Sequence, residues 1–275
     1  MKIDSHQHFW QFDPIRDAWI TEDMSVIRRD FYPTDLQPLL AQANIGGCVA
    51  VQADQSEQET EFLLDLASQH DFIKGVVGWV DLRDSRVKER LEYFSQFDQL
   101  KGFRHIVQAE TDELFMLRTA FLNGVRALES FGFTYDILIF PHQLGAAKEL
   151  VARLGNQRFV IDHIAKPYIK QGLINKWKHD IQAIARHENV WCKVSGILTE
   201  ADWLHWTPEE VYPYLEVVFE AFGTNRVLFG SDWPVCLLAT QYQQWIDFLT
   251  TYLAHFTKDE KDQFWGENAI GFYGL

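Results

Sequence analysis

The sequence predicts a (β/α)₈ barrel built by the whole chain as one domain, residues 1–275. Its length matches the roughly 250 residues that such a barrel takes as one domain, although two conventional domains also fit 275 residues. Eight short β-rich runs alternate with helical patterns, the order expected of parallel βα units. Several of these runs are almost continuously apolar, as strands covered on both faces are.

The β-rich runs lie at roughly residues 2–8, 46–52, 73–80, 101–107, 133–140, 158–162, 190–195 and 226–230, with ends uncertain by about 2–4 residues. The second reads Gly46-Gly47-Cys48-Val49-Ala50-Val51 and the fifth runs from Phe133 to Phe140. Between them, apolar residues recur at helical spacing: Leu36, Leu39, Leu40 and Ala43; Phe62, Leu63, Leu66 and Ala67; Leu144, Ala147, Leu150, Val151 and Leu154. Helix starts are marked by Ser56 ahead of Glu59, a capping-box spacing, and by Thr207-Pro208, a cap followed by proline at the first helical position. The count of eight favours a closed barrel over an open sheet. Residues 9–32 form an insertion after the first strand that carries Phe9, Trp10, Phe12, Trp19, Phe31 and Tyr32. In a barrel this loop sits at the catalytic end, either as a wall or lid or as an aromatic plug on the rim. From Thr257 onward the pattern reads as one extra helix with Trp265, Ile270 and Phe272.

The formal net charge of −14 argues against nucleic acid and anionic membrane surfaces as partners, because binding to phosphates is dominated by Lys and Arg. A small anionic substrate stays compatible with a local arginine. Cys48, Cys192 and Cys236 are widely separated and odd in number, and they read as reduced thiols. With no signal-type apolar stretch before the first strand and no run of about 18 apolar residues, a cytoplasmic location is expected. The sequence leaves the oligomeric state open.

Chemistry enters at Asp4-Ser5-His6-Gln7-His8. Alternation along a strand puts His6 and His8 on one face, about 7 Å apart, at the end where barrel active sites lie. Alone, this pair is a weak signal, and two hydrogen-bonded core histidines are the better reading of it. Two further segments add weight. Phe159-Val160-Ile161-Asp162-His163 ends the sixth strand at His163, and Val227-Leu228-Phe229-Gly230-Ser231-Asp232 ends the eighth at Asp232. A lone aspartate after a strand is ordinarily a turn or cap residue. Three imidazoles and a carboxylate at the same ends of strands one, six and eight point instead to a shared site.

Taken with Gly75 to Leu82, Lys101-Gly102-Phe103-Arg104-His105, Asn189 to Gly196, Phe229 to Cys236 and Glu267 to Tyr273, these segments span nearly the whole chain in order. The chain resembles the amidohydrolase superfamily, in its amidohydrolase 2 or L-fuconolactonase-like branch of sugar-lactone and pyrone-lactone hydrolases. The resemblance implies a hydrolase barrel that attacks a carbonyl with water, Asp232 as the base, and His6, His8 and His163 around the water or around a metal that holds it. It also places Arg104 to polarise a carbonyl or hold a carboxylate, a task that suits a planar guanidinium; a rim salt bridge is the plainer alternative. Lys166 and His105 are weaker candidates for sugar hydroxyls, and Trp79 and Trp233 for apolar walls, though both tryptophans also fit core packing.

One departure limits the metal count. The fourth strand begins at Lys101 and ends Arg104-His105-Ile106, so the bridging lysine or carboxylate of two-metal relatives is not visible at its end. His142 follows Pro141 and falls just past the fifth strand. What remains is either one Zn²⁺ (or another divalent ion) on His6, His8, His163 and Asp232, or a metal-free site. No organic cofactor is implied. The expected activity is opening of a small sugar-derived lactone of the L-fuconolactone or L-rhamnonolactone type. A zinc-dependent non-oxidative decarboxylase and an inactive metabolite-binding barrel are the competing readings.

Overall fold

All 275 residues are described in the structure, a computed structural model. Eight strands form one parallel sheet in chain order: β1 (Ile3–Gln7), β2 (Gly47–Val51), β3 (Ile73–Gly78), β4 (Leu100–His105), β5 (Thr134–Ile137), β6 (Phe159–Ile161), β7 (Val190–Val194) and β8 (Val227–Phe229). The segment after β8 closes the seam onto β1: Asp232 N–H donates to the His6 carbonyl at 2.8 Å and His8 N–H to the Trp233 carbonyl at 2.7 Å. Helices α1 (Pro33–Gln42), α2 (Glu57–Gln69), α3 (Val87–Phe94), α4 (Thr119–Glu129), α5 (Leu144–Arg153), α6 (Asn175–Ile184), α7 (Pro208–Phe222) and α8 (Tyr242–Tyr252) follow the strands in turn. The strand–helix alternation expected from the sequence is thus a (β/α)₈ barrel.

Alternate side chains along each strand face opposite ways, and the apolar residues divide accordingly. Cys48, Phe103, Tyr135, Phe159 and Phe229 join the large core between strands and helices. Ile3, Val49, Val51, Val77, Val160 and Leu228 make a small core inside the barrel. This inner core sits under a layer of buried polar side chains, which include His6, Arg104, Asp136, Asp162 and Lys193.

The C-terminal tail is not one regular helix. α9 (Lys258–Asp262) passes through a π-helical turn, Gln263–Glu267, into α10 (Asn268–Tyr273). The π turn brings Gly266 against the Met1 carbonyl, so closely that a Cβ would collide with it. Phe272 and Tyr273 of α10 pack into the inner core, and burying an aromatic ring of this kind contributes roughly 1.5–3 kcal/mol. The tail therefore stoppers the barrel at the end opposite the site.

β1 carries a bulge. Ile3 pairs with Gly47 but Gln7 pairs with Ala50, so β1 uses one residue more than β2 between Asp4 and Gln7. Such an insertion changes which face the following side chains take. Ile3 lies in the inner core, Asp4 bonds the Tyr242 hydroxyl of α8 on the outside at 3.0 Å, and His6 is inside again.

The insertion after β1 is both wall and plug. Trp10 and Phe31 form a β-bridge and are buried together with Phe9, whereas Trp10 and Trp19 also border the cavity described below. Ser56 Oγ accepts from Glu59 N–H at 3.2 Å as a cap. The Glu59 carboxylate does not return to Ser56 but accepts N–H bonds from Ala53 and Asp54 in the β2–α2 loop. The three cysteines are buried and unbonded, and no helix is long and apolar enough to cross a membrane.

Candidate active site

A cavity of about 260 Å³ opens at the C-terminal ends of the strands, bordered by His8, Arg104, His163, Lys166 and Asp232. Ile106, Leu138 and Val235 give it an apolar side, with Gln108 beside them. His8, His163 and Asp232 thus line one cavity with Arg104 and Lys166, and His6, fully buried, lies directly behind them with Nε2 3.7 Å from Asp232 Oδ1.

Each side chain arrives by a distinct device. His6 and His8 come from β1 beyond its bulge. His163 follows β6 in four consecutive left-handed residues, His163 to Lys166, with φ of 53, 48, 59 and 47°. A left-handed turn costs roughly 1–2 kcal/mol per non-glycine residue. The fold holds it through Trp177, whose indole N–H donates to the Ile164 carbonyl at 2.8 Å. Asp232 follows β8, also left-handed with φ 59°. Gly196, at φ 59°, ends β7 so close to both groups that a Cβ there would meet the Asp232 carboxylate and lie 2.8 Å from His163 Nδ1. Gly196→Ala is therefore expected to destabilise the protein by about 1–2 kcal/mol through φ alone and to lower kcat by misplacing Asp232; thermal melts and steady-state kinetics check both effects.

The three imidazoles converge on one oxygen. Asp232 Oδ1 lies 3.2 Å from His8 Nε2, 3.7 Å from His6 Nε2 and 3.9 Å from His163 Nε2. His8 Nδ1 is 2.7 Å from the Val51 carbonyl, which can only accept, so its proton belongs on Nδ1. His163 Nδ1 likewise faces the Ser195 carbonyl at 3.2 Å and its hydroxyl at 2.9 Å. Arg104 Nη1 is 3.2 Å from His6 Nε2, and a guanidinium only donates. All three Nε2 atoms thus face the same small volume as a carboxylate oxygen.

Burial keeps His6 and His163 neutral. It lowers His6 well below its ordinary value against the attraction of Asp162, and it lowers His163 to about 4 against the attraction of Asp232. Burial alone would raise Asp232, but His163, the hydrogen bond with His8, and His6 outweigh it and hold the carboxyl below its ordinary value. Asp232 is thus ionised at neutral pH. His6, His8 and Asp232 offer ligand atoms within 4.8 Å of one another, and a convergence of imidazole nitrogen and carboxylate oxygen is a donor set that suits a divalent cation.

Beneath this cluster lies a buried ion network that sequence reasoning did not include. Arg104 Nη1 donates to Asp162 Oδ2 at 3.0 Å, and its other terminal nitrogen donates to the Gln52 carbonyl. Lys193 Nζ lies 2.5 Å from Asp136 Oδ2 and 3.1 Å from Asp162 Oδ1. Burial pushes Asp136 up to about 6, with Lys193 opposing it; Asp162 is held well below its usual range because Lys193, His6 and Arg104 together overcome burial. A signal for this network existed: Asp136 and Lys193 each interrupt an otherwise apolar strand, at the inward-facing position.

Three expectations are corrected. His105 is the residue after Arg104 on β4 and so points the other way, stacking on Phe115 and lying 2.7 Å from Glu110 Oε1, with no face on the cavity. Trp79 donates its indole N–H to His105 Nδ1 at 3.3 Å on that same outer side. Trp233 is buried edge-on against Phe9 and Phe31. Trp10 and Trp19 supply the aromatic wall instead. His142 is exposed in the short turn Pro141–Gln143 and takes no part in the site.

Comparison with known proteins gives the family. The family described as amidohydrolase matches residues 3–275. An L-fucono-1,5-lactonase of Burkholderia multivorans is 35% identical over 286 residues, covering 100% of this chain and 96% of that protein. A second L-fucono-1,5-lactonase, from Burkholderia ambifaria, is 34% identical over 278 residues, with the same coverage of 100% and 96%. A crystal structure of an amidohydrolase from Burkholderia multivorans with bound zinc superimposes with a TM-score of 0.97 at 36% identity, covering 100% of this chain and 99% of that one.

Proposed function

Because the chain belongs to the amidohydrolase family, we propose that it is a hydrolase that opens a sugar-derived lactone of the L-fucono- or L-rhamnonolactone type by attack of water on the ester carbonyl. The single observation that carries this reading is the meeting of three imidazoles and the Asp232 carboxylate at the mouth of a barrel, in a chain related end to end to L-fucono-1,5-lactonases.

Asp232 takes a proton from water, whose oxygen attacks the carbonyl carbon. The Arg104 guanidinium borders the cavity and its Nε–H has no partner within the protein; it stabilises the negative charge that develops on the carbonyl oxygen. As the ring C–O bond breaks, protonated Asp232 returns its proton to the departing ring oxygen, and the product is the open-chain hydroxy acid. Lys166, 3.6 Å from Glu200 at the cavity edge, and Gln108 serve the substrate hydroxyls. Trp10 and Trp19 cover the ring and exclude bulk water.

His6, His8, His163 and Asp232 are the residues that would hold a divalent metal, and zinc is the ion found in a crystallised relative. When bound, such an ion supplies Lewis acidity at the carbonyl and lowers the pKa of water towards 7.

A panel of aldonolactones in a pH-indicator assay, run before and after treatment with a strong chelator, tests the proposal. The expected result is acid release from a 6-deoxyaldonolactone that falls after chelation and returns when zinc is restored. Absence of acid release from every lactone, with zinc present, sinks the lactonase reading.

A further inference from the structure

We propose that the turn after β4 and the residue that follows β5 form the specificity pocket of the site: Ile106 and Leu138 receive the terminal methyl of a 6-deoxy sugar lactone, and the Gln108 amide binds the hydroxyl next to that methyl. The inference rests on the lactonase reading and deepens it, since it says which substituents the cavity accepts.

The cavity is divided by chemistry. Arg104, His163, Lys166 and Asp232 give it a charged side, where the carbonyl and the attacking water are handled. Ile106, Gln108 and Leu138 border the same cavity without a charge. An aldonolactone bears an oxygen on nearly every carbon, so aliphatic side chains have little to receive from it. In a 6-deoxy compound the terminal methyl is the one apolar substituent. A hydroxyl always lies close to it: on the adjacent ring carbon in the 1,5-lactone, and on the carbon that carries the methyl in the 1,4-lactone. A pocket that reads this corner of the molecule needs aliphatic side chains beside one hydrogen-bonding group, and Ile106, Leu138 and Gln108 supply that combination.

Gln108 Oε1 is buried and has no hydrogen-bond partner within the protein. A buried acceptor left unmatched is destabilising, and at the border of a cavity a ligand hydroxyl is a donor that can match it. The backbone around this amide is pinned on several sides. Gln108 N–H donates to the Leu138 carbonyl at 3.0 Å, which fixes the two residues side by side. Ile106 N–H donates to Gln55 Oε1 in the β2–α2 loop at 2.8 Å. Gln143, in the turn Pro141–Gln143, donates its side-chain N–H to the Val107 carbonyl at 2.8 Å. Leu138 is 4% exposed, so it has little room to move aside. Walls that are formed before binding, with few placed polar groups, are what give a small-molecule site its selectivity. A hydroxymethyl group in the place of the methyl would lose its water to two aliphatic side chains and find no partner there.

The test compares L-fuconolactone with its hydroxymethyl counterpart, which differs by one hydroxyl on the terminal carbon, in the pH-indicator assay with zinc present. The wild-type protein is expected to favour the deoxy lactone by about 10–10²-fold in kcat/KM, the range an apolar pocket reaches against an added hydroxyl. Leu138→Asn, which is close in size, and Ile106→Thr are each expected to reduce that preference by about 10-fold. Gln108→Leu is expected to raise KM for both lactones by about 10-fold, and to raise it more than it lowers kcat. A wild-type ratio near one overturns the proposal. So do folded Leu138→Asn and Ile106→Thr proteins that both keep the wild-type ratio, and a Gln108→Leu protein with wild-type KM overturns the role of the amide. If Leu138→Asn fails to fold, Ile106→Thr and the wild-type ratio decide. Calorimetry with ring analogues that cannot be hydrolysed, the 1,5-anhydroalditols with and without the terminal hydroxyl, separates the two readings. Tighter binding of the deoxy analogue without acid release from any lactone leaves the pocket standing and sinks the lactonase reading; acid release from both lactones at equal kcat/KM does the reverse; absence of both acid release and analogue binding sinks the two together.

Discussion

Replacing Asp232 with asparagine is expected to lower kcat for lactone opening by about 10²-fold or more, the scale of losing a general base, with the barrel intact. Asparagine is the right probe for two reasons. Asp232 has a φ of 59°, and asparagine is among the few residues other than glycine that take this conformation readily, so the backbone is not the variable. The amide also fills the same volume between His8 and Gly196 while removing the negative charge that the imidazoles face. Steady-state rates by pH indicator, with circular dichroism and a thermal melt for integrity, check the prediction. Turnover near the wild-type value in a folded Asp232→Asn protein would refute the assignment of Asp232 as the base.

The second large effect falls on Arg104. Arg104→Met is expected to destabilise the protein by about 3–5 kcal/mol, the range found when one partner of a buried ion pair is removed. It is also expected to lower kcat/KM by about 10²–10³-fold, the scale of an oxyanion donor. The guanidinium is 3% exposed and serves Asp162, His6 and the Gln52 carbonyl at once; a thioether serves none of them. Arg104→Lys keeps the charge but offers a point donor in place of a planar fork. It should recover much of the stability and little of the rate. Urea unfolding beside kinetics separates the two quantities, and an Arg104→Met protein as stable as the wild type would show that the guanidinium is not built into the network.

The barrel was legible because its strands are short, apolar and regularly spaced, so that runs such as Val49 to Val51 and Phe159 to Ile161 stand out from the helices around them. His6, His8 and Asp232 were legible because polar residues at strand ends in a barrel have one place to converge. The fifth strand was read too long: Leu138 leaves the sheet after Ile137, borders the cavity, and its carbonyl accepts from Gln108 N–H at 3.0 Å. The left-handed turn at His163 to Lys166 has no sequence signature, since Ile164 is a β-branched residue that tertiary packing forces against its own preference. The assignments of His105 and Trp233 as substrate contacts failed for a simpler reason. His105 follows Arg104 on β4, where neighbours point to opposite sides, and Trp233, in the loop after β8, turns onto Phe9 and Phe31. Lys193 and Asp136 carry no pairing signal in the sequence, because their meeting depends on β5 and β7 being brought to the same axis.

The extra residue in β1 has a consequence for anyone who edits this barrel. Between Asp4 and Gln7 the strand is out of step with β2, so a deletion of a single position there would not merely shorten it. It would swap the tenants of the two sides, sending imidazole into the greasy seam under the helices and Gln7 towards the reacting carbonyl. Grafts from related barrels must therefore carry Asp4 to His8 as an indivisible block, gap included, and alignments that close the gap for tidiness will transplant the right letters to the wrong side of the wall.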